Sequence, residues 1–385
     1  MRRSKRLDDR LRALGSPLEL ALFGVLPLLT VVYTVYWVAS AQVVERDFGI
    51  FRTAGDAVLH GRSPYPAVDP SVLAHFDKFV YPPISAVLFA PAAAIPLAVG
   101  QALMFAGGVA SIILAFRLLG VADWRCYGVA VVSTASVNSL LLGAITPLLM
   151  LGTAAAWRYR ARSSFAGSAA ALAAVSKLFL WPLAVWLLVT RRLHALAVFL
   201  ATAVLLGIGA WAAIGFAGFR SYPRLLRVLA RVEEARGYGV VSLVHATGAT
   251  AEALSMALSL AVVASILVLA RGADGDRRAF AAAVLGALVA TPLLWLHYFV
   301  LLLVPIALYR PRLSGLWFVP LVLWLTPSTQ PLGSTWRICL ALGVLATVAL
   351  VTLGRQGPAV LARSAGAVRS RPAQTSARAA PTSSG

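Results

Sequence analysis

Long apolar stretches separated by short polar segments make up most of this sequence of 385 residues. The first stretch, residues 18–40, is long enough for one helix to cross the hydrocarbon core of a bilayer, which takes about 20 residues. Since 60% of all residues are hydrophobic and only 12% are charged, the composition is unlike that of a soluble domain. The pattern therefore predicts an all-α polytopic membrane protein.

The charged residues are concentrated in the short polar segments and at the two ends of the chain. The formal net charge is +20, which in a soluble protein would suggest nucleic acid as a partner. Here the arginines and lysines are distributed as in membrane proteins, whose cytosolic loops are enriched in them. We therefore expect membrane lipids, and no nucleic acid, as the partners of this charge.

The N-terminal segment 1–17 is predicted to be basic and cytosolic, since residues 1–15 contain six basic and two acidic side chains. The apolar stretch 18–40 is longer than the core of a signal peptide, roughly 7–15 residues, so we interpret it as an uncleaved first span. Residues 41–83 then form an extracytoplasmic first loop that carries short amphipathic helices. Residues 217–242 form a second extracytoplasmic loop.

The remaining apolar stretches, among them 279–296, bring the count to about twelve transmembrane helices within residues 18–354. Both chain ends then lie in the cytosol. The tail 355–385 is rich in Ala, Ser, Pro and Arg and is predicted to be disordered and cytosolic.

The apolar stretch 165–190 allows two interpretations. One long helix would place Arg191 and Arg192 outside, whereas two short helices broken near Lys177 place both arginines in the cytosol. Because broken helices occur in membrane proteins where they are buried in protein, we expect the second arrangement.

The first loop contains the carboxylate of greatest chemical interest. Apolar residues recur at helical spacing over 48–60 and predict a short amphipathic helix at the membrane surface, with Asp47 at its N-cap. Asp47 either only caps this helix or acts as a general base at the lipid–water boundary. Arg52 either contacts substrate or forms an exposed ion pair with a loop aspartate, which is worth roughly 0–1 kcal/mol.

The second loop contains a basic amphipathic helix, predicted over 221–236. Arg224, Arg227 and Arg231 share one face of this helix, and apolar residues form the side expected to face the membrane. The three arginines either attract anionic lipids in general or hold an anionic lipid substrate.

Two further ionisable residues lie in or beside apolar stretches, where such groups are rare and usually have a function. Lys177 is either a substrate-binding residue or a lysine that snorkels at a helix break. His297 is either a substrate-binding residue or a neutral, hydrogen-bonded histidine at a helix end.

The sequence offers little for a metal or a nucleotide. The outer loops contain no two aspartates separated by one residue and no histidine cluster, so we expect no metal site. A Walker-type phosphate-binding loop is also missing from the sequence, which argues against a nucleotide substrate. We expect no cofactor.

A set of short motifs runs through the chain. In the first loop they read Asp47-Phe48, Arg52-x-Ala54-Gly55 and Gly61-x-x-Pro64-Tyr65. Further along they read Phe79-x-Tyr81-Pro82-Pro83, Phe89-Ala90-Pro91, Ala166-Gly167 with Lys177 after it, and Thr291-Pro292-x-x-Trp295-x-His297-Tyr298. Taken together, over roughly residues 18–354, these motifs resemble those of glycosyltransferase family 87.

This resemblance implies a GT-C fold and a polyprenol-phosphate-mannose-dependent α-mannosyltransferase of the actinobacterial type. It implies inverting transfer of mannose from polyprenyl-phosphate-mannose to an envelope glycolipid or lipoglycan, of the phosphatidylinositol mannoside or lipomannan type. Asp47 matches the carboxylate of the opening motif and would be the general base. The expected location is the plasma membrane, with the active site on the extracytoplasmic side.

Three alternatives stay open. A transporter or flippase of lipid-linked sugars would need polar residues along a path through the membrane midplane, and Asn138 and Lys177 are the clearest examples here. An arabinofuranosyltransferase of similar fold would use a different donor sugar. A non-catalytic membrane scaffold would not need the asymmetric first loop.

Overall fold

The computed structural model describes residues 16–40, 46–75, 77–233, 236–272, 274–326 and 334–354. Within these ranges the regular elements are all helical, in agreement with the predicted all-α class. The predicted tail 355–385 and most of the predicted N-terminal segment lie outside the described residues. The described residues up to Leu353 form one compact unit.

In the first half of the chain the α-helices are α1 Pro17–Leu20, α2 Leu26–Ser40, α3 Arg46–Leu59, α4 Pro70–Leu73, α5 Pro83–Ala93, α6 Leu97–Leu119, α7 Trp124–Val132, α8 Thr134–Leu142, α9 Thr146–Arg158 and α10 Ser163–Ser176. In the second half they are α11 Pro182–Val189, α12 Leu193–Ala213, α13 Tyr222–Glu233, α14 Val240–Leu243, α15 Gly248–Leu269, α16 Gly275–Ala290, α17 Leu303–Tyr309 and α18 Thr335–Leu353. A π-helical turn, Ala21–Val25, joins α1 to α2, and 3-10 helices cover Leu178–Leu180, Leu296–Leu302 and Gly315–Leu325.

Five of the described helical segments are long and apolar enough to cross a membrane: Pro17–Trp37, Leu97–Leu119, Leu193–Ala213, Gly248–Leu269 and Thr335–Leu353. The pair α8 and α9, bent by 118°, would make a sixth if it counted as one broken span. These segments fit a polytopic membrane protein. The predicted total of about twelve depends on shorter apolar helices of 10–17 residues, so that total stays a prediction.

The long helices and the short ones differ in burial. In the spans Pro17–Trp37 and Gly248–Leu269 only 11% of the apolar stretch is buried inside the protein, which leaves most of its surface for lipid. By contrast, every residue of α16 from Ala279 to Leu288 is buried. Its many alanines allow α11, α15 and α18 to pack closely around it. The core of the protein is therefore built from short helices, and the long helices surround it.

The stretch 165–190 is broken at Lys177, as predicted. α10 ends at Ser176, and a 3-10 turn leads from Lys177 into α11. The break frees carbonyl groups at the end of α10. Ser85 on α5 satisfies one of them, since its hydroxyl donates to the Ser176 carbonyl oxygen over 3.1 Å.

The two ends of this helical hairpin meet at one carboxylate. Arg192, which follows α11, donates to both oxygens of Asp276 over 2.7 and 2.9 Å. Arg160, which precedes α10, donates to the same carboxylate from Nε over 3.1 Å. Trp186 adds a hydrogen bond of 2.9 Å from its indole nitrogen. The segments before and after the hairpin therefore lie at the same end of the molecule, as the broken arrangement requires.

Helix α3 packs on α5 at unusually close range. A Cβ atom at Gly55 would lie 2.6 Å from the carbonyl oxygen of Phe89, so only glycine fits there. One turn earlier, the rings of Phe51 and Phe89 stack with their centroids 4.7 Å apart. The apolar face of α3 is therefore buried against protein, and this contact fixes the direction of the helix.

The predicted start of this helix needs a correction. We expected Asp47 at the N-cap of a helix over 48–60, but α3 begins at Arg46 and Asp47 is its second residue. The apolar periodicity begins only at Phe48, and polar residues can be helical without adding to that pattern. In the first turn, Asp47 still lies near free backbone N–H groups, where a negative charge is favourable.

Candidate functional site

The structure brings together three of the predicted site residues: Asp47, Lys177 and His297. All three are buried, with relative exposures of 9%, 5% and 6%. They come from three separate parts of the chain: the start of α3, the break between α10 and α11, and the 3-10 helix that begins at Leu296. Buried ionisable groups from distant segments are costly, so their meeting marks a candidate site.

Asp47 is held by a tyrosine. The Tyr81 hydroxyl donates a hydrogen bond to Asp47 Oδ2 over 3.3 Å. Burial raises the pKa of Asp47 above its usual range, although the charge of Lys177 and the Tyr81 hydrogen bond lower it. The pKa is raised overall, so the Asp47 carboxylate is a stronger base than an exposed aspartate.

Tyr81 is itself fixed from several directions. Its backbone carbonyl accepts a hydrogen bond of 3.1 Å from the Tyr65 hydroxyl, and the Tyr222 hydroxyl donates to the Val80 carbonyl over 3.2 Å. The ring of Phe51 lies 4.7 Å from the Tyr81 ring, centroid to centroid. These contacts join the segment before α5 to both α3 and α13, so the position of the Tyr81 hydroxyl does not depend on Asp47 alone.

Lys177 and His297 form the second part of the site. Lys177 Nζ lies 3.3 Å from His297 Nε2 and 4.0 Å from the centroid of the Tyr298 ring. An ammonium group can only donate, so Nε2 accepts and the neutral imidazole carries its proton on Nδ1. The ring of Phe179 stacks on Tyr298 at 4.8 Å, and Ser139 donates to the His297 carbonyl over 3.2 Å. The lysine is thus held over an aromatic face, where a cation is attracted.

A cavity of about 350 Å³ opens beside Asp47, and we refer to it as the carboxylate cavity. Its polar lining consists of Arg46, Asp47, His75, Lys78, Tyr81, Asn138, Glu233, Tyr238, Trp295 and His297. Its remaining lining is apolar and consists of Ile50 on α3, Leu73 on α4, Val80, Leu142 on α8, Leu229 on α13, Leu293 and Leu296. The cavity therefore offers charges of both signs, an amide and aromatic faces within one space.

A second cavity, also of about 350 Å³, contains Lys177, and we refer to it as the lysine cavity. Its lining is mainly apolar and aromatic: Pro82, Leu178, Phe179, Trp181, Tyr222, Leu226, Ala230, Ala290, Thr291, Pro292 and Tyr298. The two cavities share Val80, Tyr81, Leu229, Leu293 and Trp295 in their linings. Tyr81 and Trp295 therefore stand between a polar space that contains Asp47 and an apolar space that contains Lys177.

The arginines of α13 lie elsewhere. Arg227 and Arg231 line a third groove, of about 380 Å³, between α13 and α15, and Arg231 lies 3.7 Å from Glu252 there. Arg224 is exposed on the same helix. None of the three lines the carboxylate or the lysine cavity.

The apolar side of α13 does not face the membrane as we expected. Leu225 is buried, with 1% exposure, and Leu226 and Leu229 line the cavities just described. The sequence pattern shows that α13 has an apolar side, but lipid and a protein cavity both favour such a side, so the pattern cannot distinguish them.

Arg52 does not line either cavity. Its guanidinium donates to the carbonyl oxygens of Ala93 and Ile95, over 3.3 and 3.4 Å, at the end of α5. The expected ion pair with an aspartate is formed instead by Arg62, which lies 2.6 Å from Asp56. Arg52 thus ties α3 to the C-terminal end of α5.

Two residues of the site, Tyr81 and Glu233, were not predicted to have a role there. Tyr81 belongs to the motif Phe79-x-Tyr81-Pro82-Pro83, but its contact with Asp47 depends on the tertiary structure. Glu233 follows Leu226 and Leu229 by seven and four residues, so an acid lies on the apolar side of a helix. That spacing was the available signal. Among the described residues, no group of three or more His, Cys, Asp or Glu side chains could hold a metal ion.

Comparison with known proteins identifies a family for this chain. The family model described as Glycosyltransferase family 87 matches residues 79–296, which is more than half of the chain. The matched region contains Tyr81, Lys177 and Glu233, whereas Asp47 precedes it and His297 follows it directly. No curated protein and no solved structure gives a significant match.

Proposed function

Because the chain belongs to glycosyltransferase family 87, we propose that it is an inverting membrane glycosyltransferase with a lipid-linked sugar as donor. The donor we propose is polyprenyl-phosphate-mannose. The acceptor we propose is an envelope glycolipid or lipoglycan, of the phosphatidylinositol mannoside or lipomannan type. The enzyme would then be an α-mannosyltransferase of the actinobacterial type with a GT-C fold.

One observation carries this proposal: a buried carboxylate and a buried lysine lie in adjoining cavities with Tyr81 between them. Transfer from a lipid phosphate needs a base on one side of the anomeric carbon and positive charge on the other. Asp47 in the polar cavity supplies the base. Lys177 in the apolar cavity supplies the charge, beside a lining suited to a polyprenyl chain.

The proposed reaction is a single displacement. An acceptor hydroxyl in the carboxylate cavity gives its proton to Asp47, and its oxygen attacks the anomeric carbon of the donor sugar. The bond between that carbon and the phosphate oxygen breaks, and polyprenyl phosphate leaves with the electron pair. Because the nucleophile attacks opposite the leaving group, the configuration at the anomeric carbon inverts.

Lys177 and His297 are the proposed ligands of the donor phosphate. The lysine is fixed over Tyr298, so little reorganisation is needed when negative charge develops on the leaving group. His297 accepts from Lys177 through Nε2 and so orients the ammonium group. His297 lines the carboxylate cavity and contacts Lys177, which lines the lysine cavity, and this arrangement supports a role for both residues at the reacting centre.

For the arginines that line neither cavity we propose roles away from the reacting centre. We propose that Arg224, Arg227 and Arg231 attract the anionic donor to the side of the protein, since Arg227 and Arg231 line a groove that includes apolar residues such as Met256. For Arg52, predicted to bind substrate, the contacts support a role in positioning α3.

We propose the plasma membrane as the location and the extracytoplasmic side as that of the active site. The cluster of Arg160, Arg192 and Asp276 lies at one end of α10, and Lys177 follows its other end. A helix of this length spans about 20 Å. If the arginine-rich end is cytosolic, as is usual, the site opens towards the opposite face.

A transfer assay in membranes tests this function. Polyprenyl phosphates that carry different radiolabelled sugars are offered one at a time, and the labelled lipid products are separated. Label should move from polyprenyl-phosphate-mannose to an endogenous glycolipid. Transfer from the arabinofuranose donor alone would favour an arabinofuranosyltransferase. Movement of intact donor across the bilayer without transfer would favour a flippase.

A further inference from the structure

A second carboxylate lines the carboxylate cavity together with Asp47. Glu233, the last residue of α13, is 3% exposed. Its Oε1 atom accepts a hydrogen bond of 3.0 Å from Arg236. Its Oε2 atom is buried and has no hydrogen-bond partner among the residues that the structure describes.

An unsatisfied buried carboxylate oxygen is unfavourable, because it has lost its water without gaining a donor. Glu233 therefore needs a donor from a molecule that enters the cavity. Several donors line the same space, including Arg46, His75 and Lys78, but none of them is bonded to Oε2. A ligand that brings a hydroxyl into the cavity would supply this donor.

We propose that Glu233 Oε2 accepts a hydrogen bond from a hydroxyl of the acceptor, so that the part of the acceptor in this cavity is an uncharged sugar ring. This inference rests on the proposed function. Asp47 and Glu233 both accept hydrogen bonds and would repel a phosphate or carboxylate at close range. A sugar ring supplies several hydroxyl donors, one for each carboxylate, and the faces of Trp295 and Tyr238 offer apolar surface for its C–H groups.

The position of Glu233 favours the acceptor over the donor as the source of this hydroxyl. Glu233 shares its cavity with Asp47, the proposed base for the acceptor, and does not line the lysine cavity proposed for the donor phosphate. Glu233 would thus select acceptors that end in a neutral sugar. It would do so by positioning the ring whose hydroxyl Asp47 deprotonates.

Glu233→Gln gives a sharp test of this role. Arg236 can only donate, so the amide oxygen of the glutamine must take the place of Oε1 and its NH₂ group the place of Oε2. The substitution keeps the Arg236 contact and turns the acceptor in the cavity into a donor. Glu233→Ala, which removes both oxygens, is the second variant. Asp69→Asn is the matched control, since Asp69 is an exposed carboxylate that caps α4.

The experiment measures binding to the full chain in lipid nanodiscs, without turnover. Hexyl α-mannopyranoside is the neutral probe, and farnesyl phosphate is the anionic probe for the lysine cavity. We expect both Glu233 variants to weaken mannoside binding about tenfold or more, as for a lost hydrogen bond to a charged group. Farnesyl phosphate affinity should stay within about twofold, and Asp69→Asn should change neither affinity.

The outcomes separate this inference from the proposed function. Mannoside binding that is absent in the natural chain, or unchanged in both Glu233 variants, overturns the inference even if the chain transfers mannose. Equal weakening of both probes indicates a purely structural role for Glu233 and overturns it as well. Mannoside binding that depends on Glu233, in a chain that transfers no sugar from any lipid donor, supports the inference and contradicts the proposed function.

Discussion

The hydroxyl of Tyr81 donates to Oδ2 of Asp47 across 3.3 Å, although 34 residues separate the two along the chain. Tyr81 lies within the region that matches the glycosyltransferase family, and Asp47 lies before it. Through this hydrogen bond α3 contributes its carboxylate to a site that also contains Tyr81 and Lys177 from the matched region. The proposed base is thus attached to the site by tertiary contacts rather than by sequence proximity.

Replacing Asp47 by Asn should abolish most activity without unfolding the protein. Asparagine keeps the shape of the side chain but cannot accept the proton, so transfer should fall roughly a hundredfold or more. Burial already raises the pKa of Asp47, so the fold does not favour its ionised form, and the free energy of unfolding should change by less than about 1 kcal/mol. Radiolabelled transfer and thermal unfolding in detergent measure the two effects.

Asp56→Asn and Asp69→Asn, in the same loop region, should keep most of the activity. A folded Asp47→Asn protein with near-normal turnover would return Asp47 to a structural role.

Replacing Lys177 by Met should shift the pH profile of transfer to higher pH. The base works only when ionised, so activity rises with pH as Asp47 loses its proton. The charge of Lys177 lowers the pKa of Asp47, and without it the raised pKa rises further. The acid limb of kcat/KM should therefore shift to higher pH in the variant, and KM for the donor should rise about tenfold through loss of a phosphate ligand. An acid limb at the same pH in both proteins would show that Lys177 and Asp47 do not interact during the reaction.

Single Ala substitutions at Arg224, Arg227 and Arg231 should affect donor capture and leave the chemical step intact. A basic side chain near an anionic surface contributes about 1 kcal/mol, so each change should raise KM for the donor about fivefold. The kcat value should stay the same, and KM should become less sensitive to salt. Arg158→Ala, an exposed arginine at the end of α9, is the control. Unchanged donor KM in all three variants would leave these arginines as contacts for bulk lipid.

Asp276→Asn should destabilise the protein, most visibly at neutral pH. Burial raises the pKa of Asp276, but hydrogen bonds from Arg192 and Trp186 and the charges of Arg192 and Arg160 outweigh it, so the pKa is lowered. Because the pKa of Asp276 is lower in the folded chain than in the unfolded chain, its stabilising effect is complete at a pH above the unfolded-state pKa. The effect is lost as the pH falls through the folded-state pKa. The side chain is 33% exposed, so we expect a loss of about 2 kcal/mol, less than for a fully buried pair. Thermal unfolding from pH 7 to acid should show a gap between the two proteins that narrows towards low pH. A gap that stays constant with pH would assign the loss to packing.

Cysteine labelling tests the sidedness of the molecule. Cys126 and Cys339 are first replaced by Ala, and single cysteines are then introduced at His60 and Ser164, both exposed. A membrane-impermeant maleimide should label residue 60 in intact cells and residue 164 only after permeabilisation, because the arginine-rich end is expected in the cytosol. Labelling of residue 164 in intact cells would invert the proposed orientation.

Much of the helix pattern could be predicted because apolar length and arginine placement constrain a membrane chain strongly. The break at Lys177 follows from the arginines on either side of it, for example. The end of α16 was harder to place: the predicted stretch 279–296 stops being helical at Ala290, where Thr291 adopts an extended conformation before Pro292. The residue before a proline avoids the helical region, but apolar periodicity runs through this point and conceals the break.

The site could be predicted in part. Lys177 and His297 stand out because ionisable groups are rare in apolar stretches. The partnership of Tyr81 with Asp47, and of Glu233 with the same cavity, depends on how α3, α5 and α13 pack together. Helical spacing shows which face a residue occupies, but it does not show whether lipid, protein or a cavity covers that face. For the same reason Arg52 was predicted as a substrate ligand, whereas its contacts are with the end of α5.

The two arginines that share Asp276 also affect how the rest of the chain can be counted. Since Arg160 and Arg192 meet at one carboxylate, the polypeptide between them leaves one end of the protein and returns to it. This segment therefore returns to the side of the membrane from which it started. The chain after Arg192 continues on the same side as the chain before Arg160. Reporter fusions on either side of the hairpin should give the same signal. A count of crossings by hydropathy alone, which treats 165–190 as one span, would invert every later loop.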